Sequence, residues 1–257
     1  MSETIRIAIG SEPLQRIAAD VLKHSILRRT ERPVQFVESW TIDGWHPILK
    51  EIPKLPRGTR FNTFRWCLPG LFGQGKAIYL DSDQIVLSDI GELWDSLPDG
   101  ATIACVCNAV GVFGKRQPEP GKPQTSVMVA DVGRMSALMA KYARGHNDRG
   151  PVQDCAAGGL VYADLMQGAW IPWGQIAELP PEWNHFNLKY ENTKLLHFSK
   201  VSDQAWRCPD HPSAEAWYSE LRETVEAGII TTTDLESEVG RGHLHGVFLK
   251  RIRRDAA

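Results

Sequence analysis

The 257-residue sequence lacks any apolar run that approaches the roughly 20 residues of a membrane-spanning helix. Its N-terminal segment also lacks the basic flank and the apolar centre of a secretory signal peptide. We therefore expect a protein that neither spans a membrane nor follows the secretory route, and we predict a cytoplasmic location.

The sequence also has few cysteines and little net charge. The five cysteines are odd in number and scattered, which matches neither a disulfide framework nor a zinc ribbon and fits a reducing compartment. A formal net charge of −2 supplies no overall attraction to nucleic acid or to an anionic membrane. We predict no nucleic-acid partner.

The chain does contain enough apolar material for a substantial core. Hydrophobic residues make up 42% of the sequence and aromatic residues 9%, which excludes a disordered protein. At this length, one compact domain is the most economical arrangement.

The first forty residues predict a strand, a helix and a second strand. The segment TIRIAIG at 4–10 alternates apolar residues, and apolar positions then recur at helical spacing from Leu14 to about Arg29. VQFVES at 34–39 is typical of another strand. This order predicts a right-handed βαβ unit in an α/β fold, with ligands bound beyond the carboxyl ends of the strands.

The remaining pattern continues the α/β fold, with a mixed, mostly parallel central sheet flanked by helices. Gly111–Pro123 contains three prolines and three glycines and predicts a surface loop. The other predicted elements are strands at 101–107, 126–132 and 194–199, helices at 135–142 and 214–227, and an amphipathic segment from Leu235 to the end.

Two carboxylates follow an apolar strand in AIYLDSDQIVL at 77–87. Because alternate side chains of an extended strand share a face, Asp81 and Asp83 are expected to converge if the strand continues there. Paired carboxylates repel each other unless a cation lies between them, so the motif predicts a divalent metal. The alternative is that these residues only begin a turn.

Several segments are informative through their order along the chain. They are IRIAIGSEP at 5–13, TFRWCLPGLFGQGKAIYLDSDQIVLSDIGELW at 63–94, QTSVMVADVGRM at 124–135, VQDC at 152–155, PPEWN at 180–184 and LLHFSK at 195–200. In this order they resemble the family-8 glycosyltransferases and their bacterial relatives, over most of residues 4–206. The resemblance implies a GT-A-like domain.

The resemblance implies that Asp81, Asp83 and His197 hold Mn²⁺ against the diphosphate of a UDP-sugar. On its own, a histidine in the apolar segment LLHFS is typical of a hydrogen-bonded core residue. An imidazole ligand favours Mn²⁺, although Mg²⁺ remains possible.

Further site residues follow from the same resemblance. Arg65 in TFRW lies where the family has an arginine near the sugar nucleotide, although it could also form a surface ion pair. Gln153 and Asp154 match two positions of an Asp-Gln-Asp pattern and are the catalytic candidates, or they cap a helix. The other substrate-binding candidates are Ala8, Ile9, Gly10, Ser82, Gln124, Ser126, Asn184 and Lys200.

The implied function is a metal-dependent, retaining glycosyltransferase that moves a sugar from a UDP-sugar to a hydroxyl acceptor such as a glycan or glycolipid. Three alternatives remain: a nucleotidyltransferase, an inactive module that binds sugar nucleotides, and a structural protein whose acids only terminate strands. The turn after the first strand is GSEP, which has an acid and no lysine, and this disfavours a nucleotidyltransferase.

The C-terminal segment has two possible roles. We assign residues 1–210 to the catalytic domain and 211–257 to a helical extension. Leu244, Val247, Phe248 and Ile252 recur at helical spacing before a basic end. This pattern predicts a helix that either packs on the domain or lies peripherally on the inner face of an anionic membrane.

Overall fold

The computed structural model of the protein describes residues 3–55, 57–111 and 120–255. The strands in these ranges are β1 (Ile5–Gly10), β2 (Val34–Glu38), β3 (Trp40–Thr41), β4 (Gly44–Trp45), β5 (Lys76–Asp81), β6 (Gln84–Val86), β7 (Ile103–Val106), β8 (Gln124–Asp131), β9 (Ile176–Glu178), β10 (His185–Phe186) and β11 (Leu195–His197). The α-helices are α1 (Arg16–Leu27), α2 (Leu68–Phe72), α3 (Ile90–Trp94), α4 (Val132–Gly145), α5 (Pro151–Ala156), α6 (Tyr162–Met166), α7 (Ala214–Glu226), α8 (Thr232–Gly240) and α9 (Gly246–Asp255).

A six-stranded sheet in the order β2-β1-β5-β8-β7-β9 forms the centre of the molecule. Strand β8 is antiparallel to both of its neighbours, and the other three pairings are parallel. The predicted mixed, mostly parallel sheet is therefore confirmed. The first predicted unit is present too, since β1 and β2 flank α1 in sequence and pair in parallel.

The central sheet buries both of its faces. Along β1, Ala8 packs into one hydrophobic cluster, whereas Ile7 and Ile9 pack into the other. On β5, Tyr79 likewise packs with Ala8, and Leu80 packs with Ile7. This is the alternation that an extended strand imposes, and it explains why these strands are almost continuously apolar.

Two predicted segments are interrupted in the structure. The strand predicted at 77–87 divides into β5 and β6, with Ser82 and Asp83 between them. The amphipathic segment from Leu235 divides into α8 and α9, and Gly242 adopts a φ of +73° between them, which glycine tolerates best. Most of the predicted loop at 111–123, residues 112–119, lies outside the described residues.

The C-terminal helices pack on the first half of the chain. Leu244, Phe248 and Ile252 are buried in a cluster with Ile17 and Val21 of α1. The apolar side chains that a membrane-bound helix would present are thus inside the protein. The boundary after residue 210 stays a prediction.

The basic end of α9 is engaged in ion pairs. Arg251 pairs with Glu215 at 2.6 Å, and Arg253 pairs with Glu236. None of the helices in the described part of the chain has the length and apolar character required to span a membrane.

Candidate metal centre

Asp81 and Asp83 lie where the central sheet meets the second sheet, which contains β6 and β11. Asp81 ends β5 opposite Gly10 of β1, and Asp83 immediately precedes β6. Between them, the backbone N–H of Ser82 donates to the Gly10 carbonyl at 2.8 Å. The Ser82 hydroxyl donates to Gln15 Oε1 at 2.7 Å and is fully buried. Ser82 therefore fixes the turn between the two acids, and its hydroxyl is directed to Gln15.

The second sheet brings His197 to the acids. Strand β11 runs antiparallel to β6, with His197 opposite Gln84, and the N–H of Phe198 donates to the Asp83 carbonyl at 2.8 Å. His197 Nε2 is consequently 3.2 Å from Asp83 Oδ1. All three residues are buried, and their ligand atoms lie within 4.8 Å of one another.

Asn184 determines which nitrogen of His197 faces the acids. Its amide nitrogen donates to Ser126 Oγ at 3.2 Å, so its oxygen is the atom 3.0 Å from His197 Nδ1. An amide oxygen can only accept, so Nδ1 carries a proton, and in the neutral imidazole Nε2 presents its lone pair toward Asp83. Such support behind a histidine is usual at metal sites, where it fixes the orientation of the ring.

The geometry fits a divalent cation. Asp83 Oδ1 is buried and accepts no hydrogen bond within the described ranges, although His197 Nε2, an acceptor in the neutral imidazole, lies 3.2 Å from it. Two acceptors at this distance require a cation or a proton between them. Oxygen and nitrogen ligands of one ion, each roughly 2–2.5 Å from it, can be up to about 5 Å apart, as in this cluster.

Asp81 is held by two donors at once. Arg65 Nη2 lies 3.0 Å from Oδ1 and 3.2 Å from Oδ2, and the Tyr79 hydroxyl donates to Oδ1 at 2.6 Å. Burial raises the pKa of Asp81, while Arg65 lowers it and Asp83 raises it. The guanidinium thus supplies positive charge next to two carboxylates, and its other terminal nitrogen donates to Thr125 at 2.9 Å.

The cluster opens into a cavity of about 530 Å³. Arg65, Gln124 and Ser126, three of the predicted substrate-binding residues, line it together with Glu12. Burial raises the pKa of Glu12, Arg207 lowers it, and Asp83 raises it further. The other lining residues are Gln15, Gly58, Thr59, Phe61, Asn62, Asp81, Asp83, Pro123, Thr125, Tyr162, Ala163, Met166, Gln167, Phe186, His197, Ser199 and Val201.

The predicted catalytic pair is not at this cavity. Gln153 is exposed on α5, and Asp154 is buried and accepts a hydrogen bond from the Tyr142 hydroxyl at 2.7 Å. The helix that reaches the cavity is α6, through Tyr162 and neighbouring residues. The pair that the resemblance implied as catalytic therefore lies on a helix outside the residues that line the cavity.

The other substrate-binding candidates are packed in the interior or paired with another residue of the protein. Ala8 and Ile9 are fully buried in β1, and a Cβ atom on Gly10 would be 2.1 Å from the Tyr79 hydroxyl. Asn184 is also fully buried and reaches the site through His197. Lys200 pairs with Asp203 at 2.5 Å, while its neighbours in sequence line the cavity.

Sequence reasoning missed two side chains that hold the acids, Tyr79 and Gln204, and the contact of Thr125 with Arg65. Tyr79 was detectable, because it lies two residues before Asp81 on the same face of β5. Thr125 accepts from Arg65, and Gln204 Nε2 donates to Asp83 Oδ2 at 3.0 Å. Gln204 is 121 residues from Asp83 in sequence, and no local pattern connects them.

Comparisons with known proteins agree with this architecture. No family model matches the chain. Protein CDI of Arabidopsis thaliana is 26% identical over 231 residues, which cover 85% of this chain and 86% of that protein. The bifunctional glycosyltransferase WbbM superposes with a TM-score of 0.62 at 15% identity, over 86% of this chain and 50% of the WbbM chain.

The galactosyltransferase LgtC, solved with donor and acceptor sugar analogues, superposes with a TM-score of 0.55 at 12% identity. This match covers 84% of our chain and 95% of LgtC, so the likeness extends through the whole of that domain. The chain has the GT-A glycosyltransferase fold. The GT-A resemblance drawn from the sequence is confirmed at the level of the fold, whereas membership of family 8 stays a prediction.

In this GT-A fold, Asn184 provides a test of how His197 is oriented. We expect Asn184→Ala to weaken Mn²⁺ binding about 10- to 100-fold, measured in the presence of UDP, because outer-shell partners of metal ligands have effects of this size. Titration calorimetry measures the affinity for Mn²⁺, and Asn192→Ala, at an exposed position, is the matched control. Unchanged affinity in folded Asn184→Ala protein would contradict the orienting role.

Proposed function

We propose that the protein is a metal-dependent glycosyltransferase that moves a sugar from a UDP-sugar to a hydroxyl acceptor. The observation that carries the proposal is the buried cluster of Asp81, Asp83 and His197, which opens into a cavity on a GT-A fold. The mixed oxygen and nitrogen ligands favour Mn²⁺, with Mg²⁺ as the alternative. We further propose a cytoplasmic location.

The residues of the chain have separate tasks in this proposal. Asp81, Asp83 and His197 would hold the ion, which would supply Lewis-acid stabilisation of the departing diphosphate. Arg65 and Tyr79 orient Asp81, and Gln204 orients Asp83. These contacts set the ligand positions before substrate binds, and such preorganisation favours catalysis.

Transfer breaks the bond between the anomeric carbon and a phosphate oxygen and forms a bond from that carbon to the acceptor oxygen. The acceptor proton passes to the departing phosphate oxygen. In the part of the chain that the structure describes, the carboxylates lining the cavity are Glu12, Asp81 and Asp83. Two of these are assigned to the metal and Asp154 lies elsewhere, so Glu12 is the lining carboxylate that remains for a covalent intermediate, and the alternative for retention is a short-lived ion pair.

Titration calorimetry with UDP tests the metal requirement. We expect binding in Mn²⁺ to be at least about 100-fold tighter than in excess chelator, since the ion would bridge two carboxylates and a diphosphate that otherwise repel each other. Equal affinity under both conditions would refute the proposed metal bridge.

Turnover is the second measurement. UDP-glucose, UDP-galactose and UDP-N-acetylglucosamine are incubated with Mn²⁺ and mixed sugar acceptors, and UDP release is followed. Release that depends on an acceptor supports the transferase. Tight metal-dependent binding with no release to any acceptor or to water supports the inactive binding module instead.

A further inference from the structure

A second cavity lies beside the candidate metal centre and shares residues with the first. It has a volume of about 460 Å³ and is lined by residues that follow α6, together with Gly121 and Lys122. Pro123 and Gln167 line both cavities. The two spaces are therefore adjacent, with Pro123 and Gln167 between them.

An exposed tryptophan is the most prominent feature of this groove. Trp173 is 61% exposed, although tryptophan is a residue that proteins mostly bury. The preceding segment is firmly packed, because Trp170 and Ile171 belong to the core and Trp170 contacts Trp66 edge to face at 5.2 Å. A large aromatic surface is thus carried on a rigid base.

The turn into this segment is also well fixed. The hydroxyl of Thr125 on β8 donates to the Met166 carbonyl at the end of α6. Gly168 then adopts a φ of +67°, which allows the chain to turn sharply toward Trp170. Gln167 is held between these two points, where it reaches both cavities.

The polar groups of the groove define the chemistry of its occupant. Lys122 is the charged residue among the described lining residues, and Gln167 offers an amide. A pyranose ring has an apolar C–H face and a rim of hydroxyls, which match an aromatic surface flanked by hydrogen-bonding groups. An alkyl chain could contact the indole but would make no hydrogen bonds to these polar groups.

We propose that this groove is the acceptor subsite and binds a saccharide chain, with Trp173 as its stacking platform. The assignment rests on the proposed function, since the reacting sugar would occupy the first cavity and the acceptor must approach it from an adjoining space. Pro123 and Gln167 mark the passage between the two.

Saturation-transfer NMR with the full chain tests this assignment. The probes are maltotriose, cellotriose and mannotriose, each with and without UDP and Mn²⁺. We expect at least one trisaccharide to bind, and Trp173→Ala to weaken it about tenfold or more, because an exposed aromatic anchor contributes much of the affinity of such sites. Trp173→Phe should retain most of the binding, and Ile42→Ala, at a position 84% exposed on a distant hairpin, should have no effect.

Three results would overturn the acceptor groove. The first is that the wild type binds none of the saccharides, and the second is that Trp173→Ala binds them as tightly as the wild type. The third is that, with octyl glucoside as the probe, saturation is transferred to the alkyl chain rather than to the sugar. Metal-dependent UDP binding is measured separately in Trp173→Ala and should be unchanged, because Trp173 does not line the first cavity. If the wild type binds saccharides but does not bind UDP, the proposed transferase is refuted and the groove remains a saccharide site.

Discussion

Asp83→Asn should eliminate metal-dependent UDP binding and leave the protein folded. We expect the affinity for UDP in Mn²⁺ to fall by about 100-fold or more, since loss of a direct ligand exceeds the 10- to 100-fold effect of an outer-shell partner. The asparagine oxygen can still accept from Gln204, which bonds Asp83 at 3.0 Å, so the fold loses little. Titration calorimetry measures the affinity.

Thermal unfolding distinguishes this effect from simple damage. Without metal, Asp83→Asn should be at least as stable as the wild type, because one of two buried, mutually repelling carboxylates has become neutral. With Mn²⁺ and UDP, the wild type should gain stability and the variant should not. Asp43→Asn, at an exposed position, is the matched control. Wild-type affinity for UDP and Mn²⁺ in Asp83→Asn would exclude Asp83 as a ligand.

Phe248→Ala should lower the free energy of unfolding by about 3–5 kcal/mol, which is the usual effect of truncating a buried aromatic side chain. Phe248 is fully buried and contacts Trp217 edge to face at 5.3 Å, and it stacks near Tyr218. Urea unfolding measures the change. Lys250→Ala, at an exposed position of the same helix, should change stability by less than about 0.5 kcal/mol.

Vesicle sedimentation completes the test of the C-terminal helix. The apolar residues of α9 are buried in the protein. We therefore expect Phe248→Ala and Lys250→Ala to sediment with anionic vesicles to the same extent as the wild type. The opposite outcome, a Phe248→Ala protein with wild-type stability and reduced vesicle binding, would show that α9 lies on membranes.

The elements with strong local patterns were predictable. β1, α1 and β2 agree with the sequence prediction to within a few residues, because alternation and helical spacing act over short distances. Interruptions were harder to predict. The break between β5 and β6 depends on bonds from Ser82 to Gly10 and Gln15, and these partners come from a different element of the chain.

The candidate metal ligands show what a family resemblance adds to a local sequence pattern. Asp81 and Asp83 were suggested by their position after an apolar strand, but His197 in LLHFS was indistinguishable from a core histidine until the family match was considered. The same reasoning placed Gln153 and Asp154 at the site, and the structure has them on a helix away from it. The segment VQDC, which contains this pair, matches the Asp-Gln-Asp pattern at two positions, and colinearity with the other segments did not fix where these side chains lie.

The sequence by itself determined the α/β class, the acids at a strand end and the amphipathic C-terminal helices, because these depend on the order of apolar and polar residues in short windows. Tertiary structure decided which nitrogen of His197 faces the acids, since Asn184 and Ser126 come from distant segments. It also decided that Arg65 contacts Asp81, that α6 rather than α5 lines the cavity, and that Phe248 is buried. Such contacts join residues far apart in sequence, and only packing of the complete chain brings their side chains within bonding distance.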